Sequence, residues 1–179
     1  MPGHYPHTAL KTLLVGSALW CAAADAVTFN LPNRANPRIQ ITVGDTQKKI
    51  ISQVVFTVPP GQVGNGSPVT AATPVFIELL IRASGANPLT GFLTVNSIEK
   101  PLQNTDPGSS SSIPFSEVSW TSQDGNIPSG TFQGAIDQDI VSFQSSQGYS
   151  DYLTFTYANT LLIESGTYKG QVIYTWAVP

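Results

Sequence analysis

The sequence holds one cysteine and one methionine, with two histidines. All four lie before residue 27, as Met1, His4, His7 and Cys21. Each shortage excludes something. Beyond residue 26 no disulfide, thiol nucleophile or Ser-His-Asp triad is available, and neither is an ordinary zinc site of His and Cys. The glycine-rich phosphate loops of P-loop and dinucleotide-binding proteins are also missing, so no cofactor is implied. Charged residues make up only 11% of the chain, with a formal net charge of −3. No basic stripe is present, and nucleic acid and anionic membrane surfaces are not expected partners. No apolar run approaches the roughly 20 residues of a bilayer-spanning helix.

What is present begins with an address. Lys11 precedes the apolar run Leu13-Leu-Val-Gly-Ser-Ala-Leu-Trp20, and small residues follow to Ala24-Asp25-Ala26. That order is a secretory signal peptide over residues 1–26, cleaved before Val27. Trp20 occupies the position where a lipoprotein signal carries a small residue, so acylation of Cys21 is not expected. Losing Lys11 and Asp25 leaves the net charge unchanged. Residues 27–179 form one expected domain with no membrane span, long enough to bury about 70% of its unfolded surface without staples.

Alternating apolar residues recur along this domain, the period of a half-buried strand. Val27, Phe29 and Leu31 share one face, and Ile39, Ile41 and Val43 share the next. Further strands are predicted within 50–58, 75–82, 89–95, 113–120, 130–134, 138–143, 152–157 and 161–163. Pro59-Pro60-Gly61, Asn87-Pro88, Asp124-Gly125 and Ala158-Asn159 supply turns, with Asp124-Gly125 a tight hairpin. The segment 75–82 is apolar on both faces, which places it mid-sheet; Pro74 and Gly85 argue against a helix there. Phe115, Val118 and Trp120 are predicted core residues. No amphipathic helix and no βαβ spacing interrupts the series. The expected fold is all-β, an immunoglobulin-like antiparallel β-sandwich, with a closed barrel as the alternative.

The stretch from Gly166 to Val178 reads as one long final strand. Tyr168, Val172, Tyr174, Trp176 and Val178 fall on one face, with Lys169, Gln171 and Thr175 on the other. Its aromatics can each remove about 150–250 Å² from water.

Among polar residues, Asp137 and Asp139 are two apart and would share a strand face. Such pairs serve glycoside hydrolysis or calcium binding, but two solvated acids at a strand edge is the simpler expectation. Trp120, Trp176, Tyr149, Tyr152, Tyr157 and Tyr168 offer either a sugar platform or core packing. Tyr149, beside Gly148, is the one expected to be exposed.

Four blocks carry a family resemblance: Phe115-Ser-Glu-Val-Ser-Trp120, Gly125-Asn-Ile-Pro-Ser-Gly-Thr-Phe132, Leu153-Thr-Phe-Thr-Tyr-Ala-Asn159 and Gly166-Thr-Tyr-Lys-Gly-Gln-Val-Ile-Tyr-Thr175. Together they resemble subunits of chaperone–usher fimbriae, secreted pilin-like proteins of Gram-negative bacteria. Many pilins carry a disulfide and a penultimate Tyr; this chain has neither. The resemblance implies a non-enzymatic structural or adhesive subunit, exported to the periplasm and then placed at the cell surface or secreted. Implied partners are a periplasmic chaperone, an usher and other pilus subunits. The implied physics is strand addition, in which a donor strand fills a groove with alternate side chains. Tyr168, Val172, Tyr174 and Trp176 mark the expected pairing strand. Val27, Phe29 and Leu31 are the expected donor, continued by Ile39, Ile41 and Val43 only if Pro32 and Pro37 allow it. In an isolated monomer such a donor would be poorly ordered or weakly docked at an edge; otherwise it is an ordinary buried first strand. A self-sufficient secreted binding module for carbohydrate or protein is the alternative, and a carboxylate glycosidase the third.

Overall fold

The computed structural model describes residues 27–30, 38–44, 53–82, 90–144 and 148–177. The expected leader, Leu31 and Val178 lie outside them. The described strands are β1 (Val27–Asn30), β2 (Arg38–Val43), β3 (Val54–Val58), β4 (Val69–Thr70), β5 (Val75–Arg82), β6 (Thr90–Asn96) and β7 (Leu102–Asn104). They continue as β8 (Ser112–Ile113), β9 (Val118–Ser122), β10 (Gly130–Thr131), β11 (Gln138–Gln144), β12 (Gly148–Tyr157), β13 (Gly166–Gly170) and β14 (Ile173–Ala177). Every pairing among them is antiparallel.

The architecture is an all-β sandwich. One layer is a seven-stranded sheet in the order β1-β2-β5-β12-β9-β10, with β4 also paired to β12. The other layer holds two smaller sheets, β11-β6-β14 and β3-β13-β7-β8. Strand β12 lies at the centre. Its residues 148–153 pair with β5, and 153–157 pair with β9. Leu153, Phe155 and Tyr157 are buried, and Tyr152, Thr154 and Thr156 alternate outward. Tyr157 meets Phe56 of β3 at 6.2 Å between ring centroids, and Tyr149 meets Phe143 of β11 at 6.5 Å. Tyr149 and Tyr157 are an even number apart on one strand, so both small sheets cover the same face of the large one.

The core is aromatic at its centre. Phe132, just past β10, stacks on Phe155 at 5.8 Å and meets Phe115 edge-on at 5.2 Å. The Trp120 ring lies 4.8 Å from Phe132, and its Nε1–H donates to the Pro128 carbonyl at 2.8 Å. A β-carbon on Gly130 would sit 2.6 Å from the Trp120 ring, so only glycine lets β10 lie beside that indole. Phe115, Val118 and Trp120 are buried, as the sequence predicts. Strand β5 sits mid-sheet between β2 and β12, also as expected.

Four local expectations need correction. The final stretch is two strands, because the chain crosses between sheets at Gln171-Val172. Strand β13 pairs with β3 and β7, whereas β14 pairs with β6. Gly170 permits the crossing: a β-carbon there would stand 2.8 Å from Leu102 Cγ and 3.0 Å from Leu102 Cα. Segment 113–120 is likewise split, with a 3-10 turn at Phe115–Glu117 following Pro114. Residues 161–163 form no strand, and Leu162 is 90% exposed. Asp124-Gly125 is no tight hairpin; it belongs to a longer connection, 123–129, between β9 and β10.

Candidate strand-pairing edge

Open sheets leave unpaired backbone along their outermost strands, and proteins guard such edges with charge, proline, bulges or brevity. The strand orders put β1, β10, β11, β14, β3 and β8 at edges, and the two-residue β4, paired only with β12, is a further one. Strand β10 has two residues, and the Gln138 side chain covers it. Gln138 Nε2 donates to Thr131 O and its Oε1 accepts from Gln133 N–H, both at 2.8 Å. Strand β11 carries exposed Asp139 and a register shift between Asp139 and Val141. Strand β8 has two residues and stops at Pro114. The β3 carbonyl of Val55 accepts the Ala72 N–H at 3.3 Å. Strand β1 has four residues and is held by β2.

Among the described residues, strand β14 carries none of these devices. Ile173-Tyr-Thr-Trp-Ala177 has no charge and no proline, and pairs with β6 in unbroken register. Its inward side chains are only half-buried. Val172, Tyr174 and Trp176 pack against the core and keep part of their surface exposed, as do Ile41 and Val43 of β2, although burial pushes the Tyr174 hydroxyl well above its ordinary value. The Trp176 ring lies 6.3 Å from Phe143. Phe92, opposite Ala177 on β6, is 36% exposed. Incompletely covered apolar side chains therefore line one uncharged, unguarded strand.

The four residues expected on the pairing strand separate into two groups. Val172, Tyr174 and Trp176 belong to this open edge. Tyr168 does not, because β13 is paired on both sides and Tyr168 is fully buried. Its hydroxyl donates to the Glu164 carbonyl, four residues upstream, at 2.5 Å and lies 3.0 Å from Ser111 Oγ. Of the donor candidates, the backbone of Val27 lies opposite Val43 and that of Phe29 opposite Ile41, in β1 at the edge of the large sheet. Strand β2, which carries Ile39, Ile41 and Val43, is paired on both sides.

Asp137 and Asp139 are exposed, with Asp137 preceding β11. No group of three or more His, Cys, Asp or Glu suited to a metal ion occurs among the described residues. Trp120, Tyr157 and Tyr168 are core residues rather than a platform. Tyr149 is half-buried against Phe143, because its parity on β12 points it inward. Tyr152 faces outward beside Phe76, with ring centroids 5.0 Å apart.

Two polar hubs hold the loops around this core; Asp151 is not among the residues singled out in the sequence, and Asn159 is named there only as part of a turn. Asp151 is 0% exposed and accepts five hydrogen bonds, from Ser122 Oγ–H and the N–H groups of Gln123, Asp124, Asn126 and Ile127. Burial pushes its carboxyl up, but these donors outweigh burial and hold it below the ordinary 3.8. A signal existed: Asp151 shares the inward parity of Leu153, Phe155 and Tyr157. Asn159 is the second hub, 0% exposed with φ at +56°. Its Oδ1 accepts the Gly64 N–H, and its Nδ2 donates toward Gln62 O, Asn65 Oδ1 and Ser67 O. Asn tolerates the left-handed region, so one residue ends β12 and anchors a loop more than ninety positions earlier.

No protein-family model, curated protein or solved structure matches this chain.

Proposed function

We propose that this chain is an exported, non-enzymatic subunit that joins other chains by strand addition, a fimbrial or pilin-like structural or adhesive component. The observation that carries the proposal is the unguarded edge of β14, with Val172, Tyr174 and Trp176 half-covered beside it. A partner strand bonded to that edge would complete a sheet and cover these side chains, and alternate apolar residues would set its register. The Tyr168–Glu164 hydrogen bond supports the immunoglobulin-like form of the sandwich, where a tyrosine hydroxyl bonds backbone a few residues upstream. The apolar alternation of Val27, Phe29 and Leu31 makes the first strand of a neighbouring subunit a suitable donor. A periplasmic chaperone, an usher and neighbouring subunits are the proposed partners, and the cell surface the proposed destination.

The test is binding of a synthetic peptide, residues 27–31, to the full chain. Saturable binding is expected, followed by a change in tryptophan fluorescence that is lost in Trp176→Phe, and Phe29→Asp in the peptide should weaken it at least about tenfold. Equal binding by both peptides, or none by either, contradicts strand addition. The outward Phe76–Tyr152 pair favours a second reading, a carbohydrate-binding module, for which a glycan array with no hits would be decisive against.

A further inference from the structure

We propose that β14 is also the interface of a symmetric homodimer, pairing antiparallel with its own copy about a two-fold axis through Thr175. The inference rests on the reading of β14 as an open edge, but it requires no donor strand.

A two-fold axis through an edge strand sets the central residue opposite its own copy and each other residue opposite the one equally far on the other side. A charge at the centre therefore meets itself, and a charge nearby falls close to its own copy. Like charges directly opposite each other destabilise a strand pair. That condition works against β11, where exposed Asp139 and the bulge sit on the edge. It favours β14, since no charged residue occurs from Gln171 to Pro179. The register centred on Thr175 is also self-complementary. Thr175 meets Thr175, Tyr174 meets Trp176 twice, and Ile173 meets Ala177 twice. Aromatic pairs and threonine pairs are among the favourable cross-strand combinations. The two β11-β6-β14 sheets then join into one continuous sheet, and the half-buried Tyr174 and Trp176 gain cover from the partner. Such a dimer closes the edge that a donor strand would otherwise occupy, so the two modes of pairing exclude each other on one copy.

Symmetry supplies the test. Cys21 is the single cysteine, so Thr175→Cys in a full-length Cys21→Ala background leaves one thiol per chain. Directly opposed residues in an antiparallel pair have Cα atoms about 4.5–5.5 Å apart, within the range a disulfide spans. Mild oxidation is expected to give a disulfide-linked dimer with Thr175→Cys. Thr94→Cys, on the interior strand β6, should stay monomeric. In parallel, sedimentation equilibrium of the unaltered chain should show a concentration-dependent dimer. Thr175→Lys, which sets two ammonium groups face to face, should weaken it at least about tenfold, with partial recovery at high salt. A chain that is monomeric at all concentrations, equal cross-linking at positions 94 and 175, or a dimer indifferent to Thr175→Lys would overturn the proposal. Peptide binding without dimerisation sinks the dimer and leaves strand addition standing; a dimer without peptide binding does the reverse.

Discussion

Replacing Asp151 with alanine is expected to cost about 3–5 kcal/mol in a urea titration, because five hydrogen bonds to a charged group, each worth about 1.5–3 kcal/mol, are lost and only partly replaced by water. The carboxylate has no exposed surface and takes five donors, four of them backbone N–H groups of residues 123–127. Removing it leaves the buried Ile127 N–H without a partner and the exposed loop residues Gln123, Asp124 and Asn126 without their common anchor. Ser122 is doubly affected, because its Oγ donates to Asp151 and accepts the Gly125 N–H at 2.7 Å. Ile127 is 0% exposed and is fixed by the same carboxylate, so the core itself is disturbed. The pH dependence follows from the lowered pKa. The unfolded chain takes up the proton near 3.8, whereas the folded chain resists it until lower pH. Asp151 therefore contributes its full stabilisation above the unfolded value and loses it as pH falls through the depressed folded value. Asp151→Asn should be less stable near neutrality and show a flatter stability profile below about pH 4. A loss under about 1 kcal/mol for Asp151→Ala would mean the loop holds without the carboxylate.

Phe132→Ala should be nearly as damaging, by about 3–5 kcal/mol. The ring is 2% exposed and touches three others, Phe115, Trp120 and Phe155, from three directions. Those neighbours belong to different elements, so the cavity cannot close without moving β9 or β12. At roughly 2–4 °C per kcal/mol for a domain of this size, the thermal midpoint should fall by about 6–20 °C. Phe132→Leu, which keeps most of the volume, should cost about half as much or less. Similar midpoints for wild type and Phe132→Ala would place the centre of the core elsewhere.

The sequence made the layered β architecture legible because period-2 alternation survives in most strands. Leu153, Phe155 and Tyr157 on β12, and Val75, Ile77 and Leu79 on β5, are inward as the pattern requires. The segmentation of the last strand was not legible. Alternation keeps the same parity from Tyr168 to Trp176, so the faces read correctly while the change of partner sheet leaves no mark in the pattern. Only the packing of Gly170 against Leu102 shows where the crossing falls. Tyr149 was misjudged for a similar reason. Its glycine and serine neighbours suggest a loop, but pairing with Leu79 makes it part of a long β12. The polar hubs escaped because their partners are dispersed. Asp151 collects donors from residues 122–127, whereas Asn159 takes one donor, the Gly64 N–H, and donates to acceptors on Gln62, Asn65 and Ser67. No local spacing announces such contacts. The inward parity of Asp151 was the one clue.

The candidate edge was half legible. Tyr174, Trp176 and Val172 stood out as an apolar row, but the sequence could not tell a buried strand from an open one. That distinction depends on which edges are guarded. Gln138 shields β10, whereas Asp139 and a bulge mark β11. Strand β14 has no comparable feature.

The central claim is that β14 accepts an added strand, and backbone hydrogen exchange tests it most directly. Amide exchange of the full chain, held dilute enough to be monomeric, is followed with and without a saturating peptide of residues 27–31. Added pairing should slow exchange at the outward-pointing amides within Ile173–Ala177, every second residue, with β11 and β3 unchanged. Unchanged exchange in β14, or protection confined to another edge strand, would contradict the account.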